Sequence, residues 1–215
     1  MAAIELDGLE RRYGERVVLA GVGVRVEPGQ TLVVLGANGA GKTTLLRVLA
    51  GLLRPHAGRA RVLGAELPAE RWRLPGHVGY LGHEPLLYRD LSGRENLRYH
   101  ARLHDVPARR VEELLSAVAM ERRADQPVRD LSRGMVQRLA AARAVLHDPE
   151  LLLLDEPRAH LDPAAARRLE PLLGRASGRT RVLVSHDVGG ALAEADVVLR
   201  LRQGRPVGEG EELYA

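Results

Sequence analysis

The sequence predicts a single α/β domain whose core sheet is mainly parallel and which carries an inserted helical lobe, and three observations lead there. A strand, a glycine-rich loop and a helix follow one another between residues 31 and 53. Helical periodicity dominates from about 92 to 147. Strands and helices then alternate to the end, the pattern expected of parallel strands joined by helical crossovers. The length of 215 residues suits one core, and no internal repeat, linker or low-complexity tract divides it.

The elements follow in order. Val22, Val24 and Val26 alternate up to the turn Pro28-Gly29, and Thr31 to Leu35 reads as a buried strand. Leu45, Leu46, Leu49 and Leu52 recur at helical spacing, predicting a helix from Lys42 to Leu53 that Arg54-Pro55 ends. Arg61-Val62-Leu63 and Val78 to Leu81 read as short strands, the second leading into an irregular run from Gly82 to Leu91. Ser92 and Glu95 have the spacing of a capping box, a second helix starts near Pro107, and a third starts near Ser132 and runs towards Asp148-Pro149. Leu151 to Leu154 is a buried strand, followed by a helix after Asp162-Pro163, a strand at Arg181 to Val184, a helix through Ala191 to Ala195, and a strand at Val197 to Leu201.

Composition narrows the function. The chain has a net charge of +4, no Cys and no Phe, so aliphatic residues must build the core and no disulfide can form. No apolar run approaches the roughly 18 residues needed to span a bilayer. The start, Met1 to Asp7, lacks the basic and apolar regions of a secretory signal, and the expected compartment is the cytosol. A small, dispersed basic excess reads as a solvated surface rather than a nucleic-acid footprint. Lys42 is the only lysine.

That lysine closes Gly36-Ala37-Asn38-Gly39-Ala40-Gly41-Lys42-Thr43-Thr44, a phosphate-loop pattern set between a predicted strand and a predicted helix. Its glycines let successive N–H groups turn towards phosphates, and the helix N-terminus adds its positive dipole end. Lys42 is placed to reach the β and γ phosphates of a nucleotide, and the Thr43 hydroxyl to join the shell of a Mg²⁺ ion. A compact ammonium suits that place better than a planar guanidinium, a physical reason for an arginine-using chain to keep one lysine. The strand Leu151 to Leu154 ends in Asp155 and Glu156, at the sheet edge where open α/β folds bind ligands. Asp155 is placed to help hold Mg²⁺, and Glu156 to polarise an attacking water.

Further motifs give the family. Leu131-Ser132-Arg133-Gly134-Met135 resembles the signature motif of ABC ATPases, Ser185-His186-Asp187 their switch-histidine segment, Arg158 to Asp162 their D-loop, and Tyr13 the aromatic that stacks on adenine. Singly, Ser132 is a good helix N-cap, His186 a polar residue after a strand and Tyr13 a half-buried aromatic. Together their order and separations match along almost the entire chain.

The resemblance implies an ABC-type phosphate-loop NTPase fold with an N-terminal antiparallel β part, a RecA-like core over about residues 1–83 and 148–215, and a helical subdomain over about 84–147. It implies MgATP hydrolysis by a head-to-tail pair of ATPase subunits attached through integral-membrane permease subunits to the cytoplasmic face of the cell membrane. Lys42, Glu156 and His186 would be catalytic. Tyr13, the loop from Gly36 to Thr44, His83, Ser132, Gly134 and Asp162 would contact nucleotide, with Ser132 and Gly134 acting on the ATP of the other copy. Thr43 and Asp155 would serve the metal.

His83, in Gly82-His83-Glu84-Pro85, stands where the family usually has Gln, which leaves open whether His83 or Glu84 takes that place. Arg133 and Met135 stand where Gly and Gln are common. The run from Gly82 to Leu103 resembles the haem-exporter ATPases of cytochrome c maturation, the CcmA-like group, and an exporter of drugs, lipids or ions is the alternative. A GTPase would need an Asn-Lys-x-Asp element, excluded by the single lysine. A kinase leaves Ser132, Gly134 and His186 unexplained. An ATPase acting on nucleic acid or ribosomes usually carries a long coiled coil or two fused halves, which 215 residues do not hold. His100 and His104 fall four apart on a predicted helix, a spacing open to a metal, without a third ligand nearby.

Overall fold

The structure is a computed structural model that describes residues 1–208; residues 209–215, the last of the predicted core, lie outside the described residues. The chain begins with β1 (Ile4–Tyr13) and β2 (Arg16–Val26), an antiparallel hairpin in which Tyr13 pairs with Arg16. β3 (Thr31–Leu35) is buried along its whole length and runs into the glycine loop and α1 (Lys42–Leu49). β4 (Ala57–Val62) and β5 (Ala65–Leu67) return to β1, completing a four-stranded antiparallel sheet of order β2-β1-β4-β5. β6 (Val78–Leu81) precedes three helices, α2 (Gly93–Leu103), α3 (Ala108–Ala117) and α4 (Arg133–Ala144). The alternating section follows as β7 (Leu151–Asp155), α5 (Pro163–Leu173), β8 (Thr180–Val184), α6 (Val188–Ala193), β9 (Val197–Arg202) and β10 (Arg205–Val207).

The second sheet has the order β10-β9-β3-β8-β7-β6, and only the edge strand β10 pairs antiparallel. Burial on both faces explains its sequence. Leu151 and Leu153 pack with α1 and the antiparallel sheet, whereas Leu152 and Leu154 pack with α3 and α4. A strand between two apolar layers has no polar face to show, so it reads as a continuous leucine run. Each fully buried leucine contributes about 2 kcal/mol relative to exposure, which pins β7, and with it the strand end that carries Asp155.

Local chemistry sets the helix boundaries. The capping box forms as its spacing predicts: Glu95 N–H donates to Ser92 Oγ at 3.2 Å, and Ser92 N–H to Glu95 Oε2 at 2.8 Å. α1 is shorter than the apolar spacing predicts. It ends at Leu49 because Gly51 takes φ 70°, with Leu52 N–H bonded to Arg47 O and Gly51 N–H to Val48 O, the paired bonds of a Schellman motif. Leu52, the residue that extended the helical pattern, is 58% exposed. His104 stacks on His147 with ring centroids 4.3 Å apart, and no group of three potential ligands for a metal occurs among the described residues. No helix among those residues is long and apolar enough to cross a membrane.

Candidate active site

The glycine loop places Gly41 as the N-cap of α1 at φ 102°, and a Cβ there would lie 2.7 Å from Val18 O. Only glycine fits that close approach in a left-handed conformation. No side chain caps α1, so its first N–H groups are left to bind an anion where the helix dipole is positive. Lys42 Nζ donates to Gly36 O at 2.7 Å and to Ala37 O at 2.9 Å, curling over the loop it closes. Burial pushes its pKa below the ordinary lysine value, against the opposing pull of Asp155 and Glu156. Thr43 Oγ1 donates to Asp155 Oδ2 at 2.7 Å, joining the first turn of α1 to the end of β7.

Glu156, the next residue, has φ 52°, a left-handed conformation that costs free energy in a non-glycine residue. It is held there by its own N–H to Val184 O at 3.0 Å and by Gln137 of α4, whose Nε2 donates to Glu156 O at 3.3 Å and to Pro157 O at 3.2 Å. Glu156 Oε1 is buried with no hydrogen-bond partner and lies 3.7 Å from His186 Nε2, beyond hydrogen-bond reach. Burial raises its pKa above the usual carboxylate range, partly offset by His186. A half-desolvated carboxylate beside an imidazole is suited to taking a proton from water.

These groups open on one cavity of about 610 Å³. Tyr13, Asn38, Gly39, Gly41, Lys42, Thr43, Thr44, His83, Asp155, Glu156 and His186 line it, so most of the sequence-predicted site converges. Gly36 and Ala37 serve as acceptors for Lys42, and Ala40 is buried beneath the loop. Between the two candidates in the irregular run, His83 is in the wall and Glu84 is not.

Three predicted residues stand apart from that wall. Ser132 is exposed and accepts from Met135 N–H at 3.3 Å, and Asp162 accepts from Ala165 N–H at 2.8 Å, each as a helix N-cap. Gly134 lies against the turn that follows Glu156, where a Cβ would come 2.8 Å from His160 O. Two contributors were not read from the sequence. Arg16 lines the cavity beside Tyr13, and Gln137 grips the backbone of Glu156 from another element. Only the register of a hairpin and the approach of a distant helix bring them there.

The donor set fits a magnesium nucleotide. The Thr43 hydroxyl and Asp155 carboxylate, already paired, offer the hard oxygens that Mg²⁺ takes, and the free N–H groups of α1 suit phosphate. The sequence profile of the ABC transporter family matches residues 19–159. The chain belongs to the ABC transporter family, as its ATP-binding component. This ABC ATPase is 38% identical to the Nod factor export ATP-binding protein I of Ralstonia nicotianae, over 97% of this chain and 67% of that one. It is 40% identical to the daunorubicin resistance ATP-binding protein DrrA3 of Streptomyces coeruleorubidus, over 99% and 70%. A solved structure described as the ATP binding subunit of an ABC transporter superposes with a TM-score of 0.87 at 29% identity, covering 96% of this chain and 88% of that one.

Proposed function

We propose that this ABC ATPase is the engine of an exporter, hydrolysing MgATP in a site completed by a second ATPase subunit and passing the resulting closure and reopening to permease subunits. The observation that carries this reading is the division of the site. Lys42, Thr43, Asp155, Glu156 and His186 share one cavity, while Ser132 and Gly134 at the start of α4 lie outside its wall. A second copy packed head to tail would bring that helix N-terminus to the open side of the phosphates, adding charge stabilisation from its N–H groups.

Within one chain, Lys42 would hold the terminal phosphates, Thr43 and Asp155 the metal, and Tyr13 the base. Mg²⁺, when bound, neutralises charge on the phosphate oxygens. Glu156 would orient water and accept its proton, with His186 keeping that water in line. Asp162 would act indirectly, through the turn it caps. The subunit would sit at the cytoplasmic face of the membrane through its partners, and not on nucleic acid.

Two cargo readings differ in their support. The names of the two relatives point to export of a Nod factor in one and to daunorubicin resistance in the other, which supports a small-molecule cargo. The run from Gly82 to Leu103 favours the haem-exporter type of cytochrome c maturation, and rests on those residues alone. Glu156→Gln tests the engine: it should keep ATP affinity, lower hydrolysis by about 10²-fold or more and accumulate an ATP-bound dimer seen by light scattering. Wild-type hydrolysis by that variant removes Glu156 from the mechanism. Capture of the subunit from gently solubilised native membranes separates the cargo readings, since haem or a haem chaperone should accompany one and a different permease the other.

A further inference from the structure

Arg158 lies two residues after Glu156, on the turn that leads to α5. Its Nη2 donates to two carboxylates, Glu170 Oε2 of α5 at 2.9 Å and Glu194 Oε1 at 2.7 Å. Glu194 is the C-cap of α6, the helix that follows His186. Its other oxygen, Oε2, accepts from Arg181 Nη1 at 2.8 Å. Arg181 is in β8, the strand that leads to His186, and is 1% exposed, with further hydrogen bonds to Leu173 O at 3.2 Å and Thr31 Oγ1 at 2.8 Å. One carboxylate therefore ties together both flanks of His186 and the turn that carries Glu156. Burial acts to raise the Glu194 pKa, but the hydrogen bonds from Arg181 and Arg158 outweigh it, and the carboxyl is held below its ordinary range.

The two arginines have different tasks. Arg181 is a buried cation, and Glu194 is the partner without which its burial would be strongly unfavourable. Arg158 is 47% exposed, and exposed ion pairs contribute little to stability. What it can fix is geometry, and small displacements of catalytic groups cost much rate.

We propose that Arg158 is a positioning residue for hydrolysis: its grip on Glu194 sets the separation of the Glu156 carboxylate and the His186 imidazole. This rests on the assignment of those two groups to the attacking water. Among the described residues no hydrogen bond or ion pair joins Lys42, Tyr13 or the glycine loop to the side chains of this network, so nucleotide binding should not depend on it.

The test compares Arg158→Ala, Arg158→Lys and Glu170→Gln in the full chain with their ATP affinity, KM, kcat and Tm. Arg158→Ala should lower kcat about ten-fold with affinity and KM unchanged and Tm within about 2 °C. Arg158→Lys, which keeps a cation near Glu194, should recover part of the loss. Glu170→Gln removes only the outer partner and should keep kcat within about two-fold. The proposal is overturned if Arg158→Ala keeps the wild-type kcat, or if kcat falls only in step with ATP affinity or Tm. Glu156→Gln in the same series separates the failures. A wild-type rate in that variant removes the pair being positioned, whereas its inactivity beside an active Arg158→Ala rejects the positioning alone.

Discussion

In the proposed dimer the N-termini of α1 and α4 would both face phosphate, yet they are built in opposite ways. α1 starts from a glycine with φ 102° and no side-chain cap, inside a walled cavity. α4 starts from Ser132, whose hydroxyl accepts from the helix at Met135, on an exposed surface. The first helix would be completed by a nucleotide held in its own chain's cavity. The second is stable without one and is free to meet a ligand held elsewhere. A capped helix tolerates exposure while it waits, whereas an uncapped one needs the loop of Gly36 to Gly41 to hold its unpaired N–H groups in place.

Substitutions can break this contrast. The largest effect should come from Lys42→Ala, which removes a charge-assisted contact to phosphate and should weaken ATP binding on the order of 100-fold by calorimetry. Unchanged affinity would take the anion site away from α1. Gly41→Ala comes next. Its Cβ would approach Val18 O at 2.7 Å in a left-handed conformation, so stability should fall by about 1–3 kcal/mol in urea unfolding, with ATP affinity falling alongside. Equal ATP affinity in that variant would mean that the loop need not hold its present shape. Ser132→Ala should have the smallest effect on the isolated subunit, a loss of about 1 kcal/mol from the missing cap and no change in ATP affinity. Weaker ATP binding by the dilute, single subunit would place α4 on its own chain's nucleotide and erase the contrast.

What the sequence disclosed followed the range of the interactions. The glycine loop, the Ser92–Glu95 capping box and the buried leucines of β7 depend on neighbours in the chain, so their spacing was sufficient. The end of α1 departs from the apolar spacing for a local reason, since Leu52 continues the apolar period while the left-handed Gly51 has already turned the chain. The grip of Gln137 on Glu156 and Pro157, and the link from Arg158 through Glu194 to Arg181, join residues 13 to 36 positions apart and have no sequence signature. The His100–His104 pair shows the same limit. Its spacing was visible, but the partner that stacks on His104 is His147, one turn beyond the end of a different helix.

The position of Lys42 has a consequence for chemistry from outside the cell's own repertoire. The chain holds no cysteine and one lysine, and that lysine lines the nucleotide cavity with a pKa lowered by burial. Among these 215 residues Lys42 is therefore the only side-chain amine for an amine-directed label, and a bound nucleotide would shield it. The rate of acylation at one atom becomes a direct reading of site occupancy, without a reporter group having to be built in.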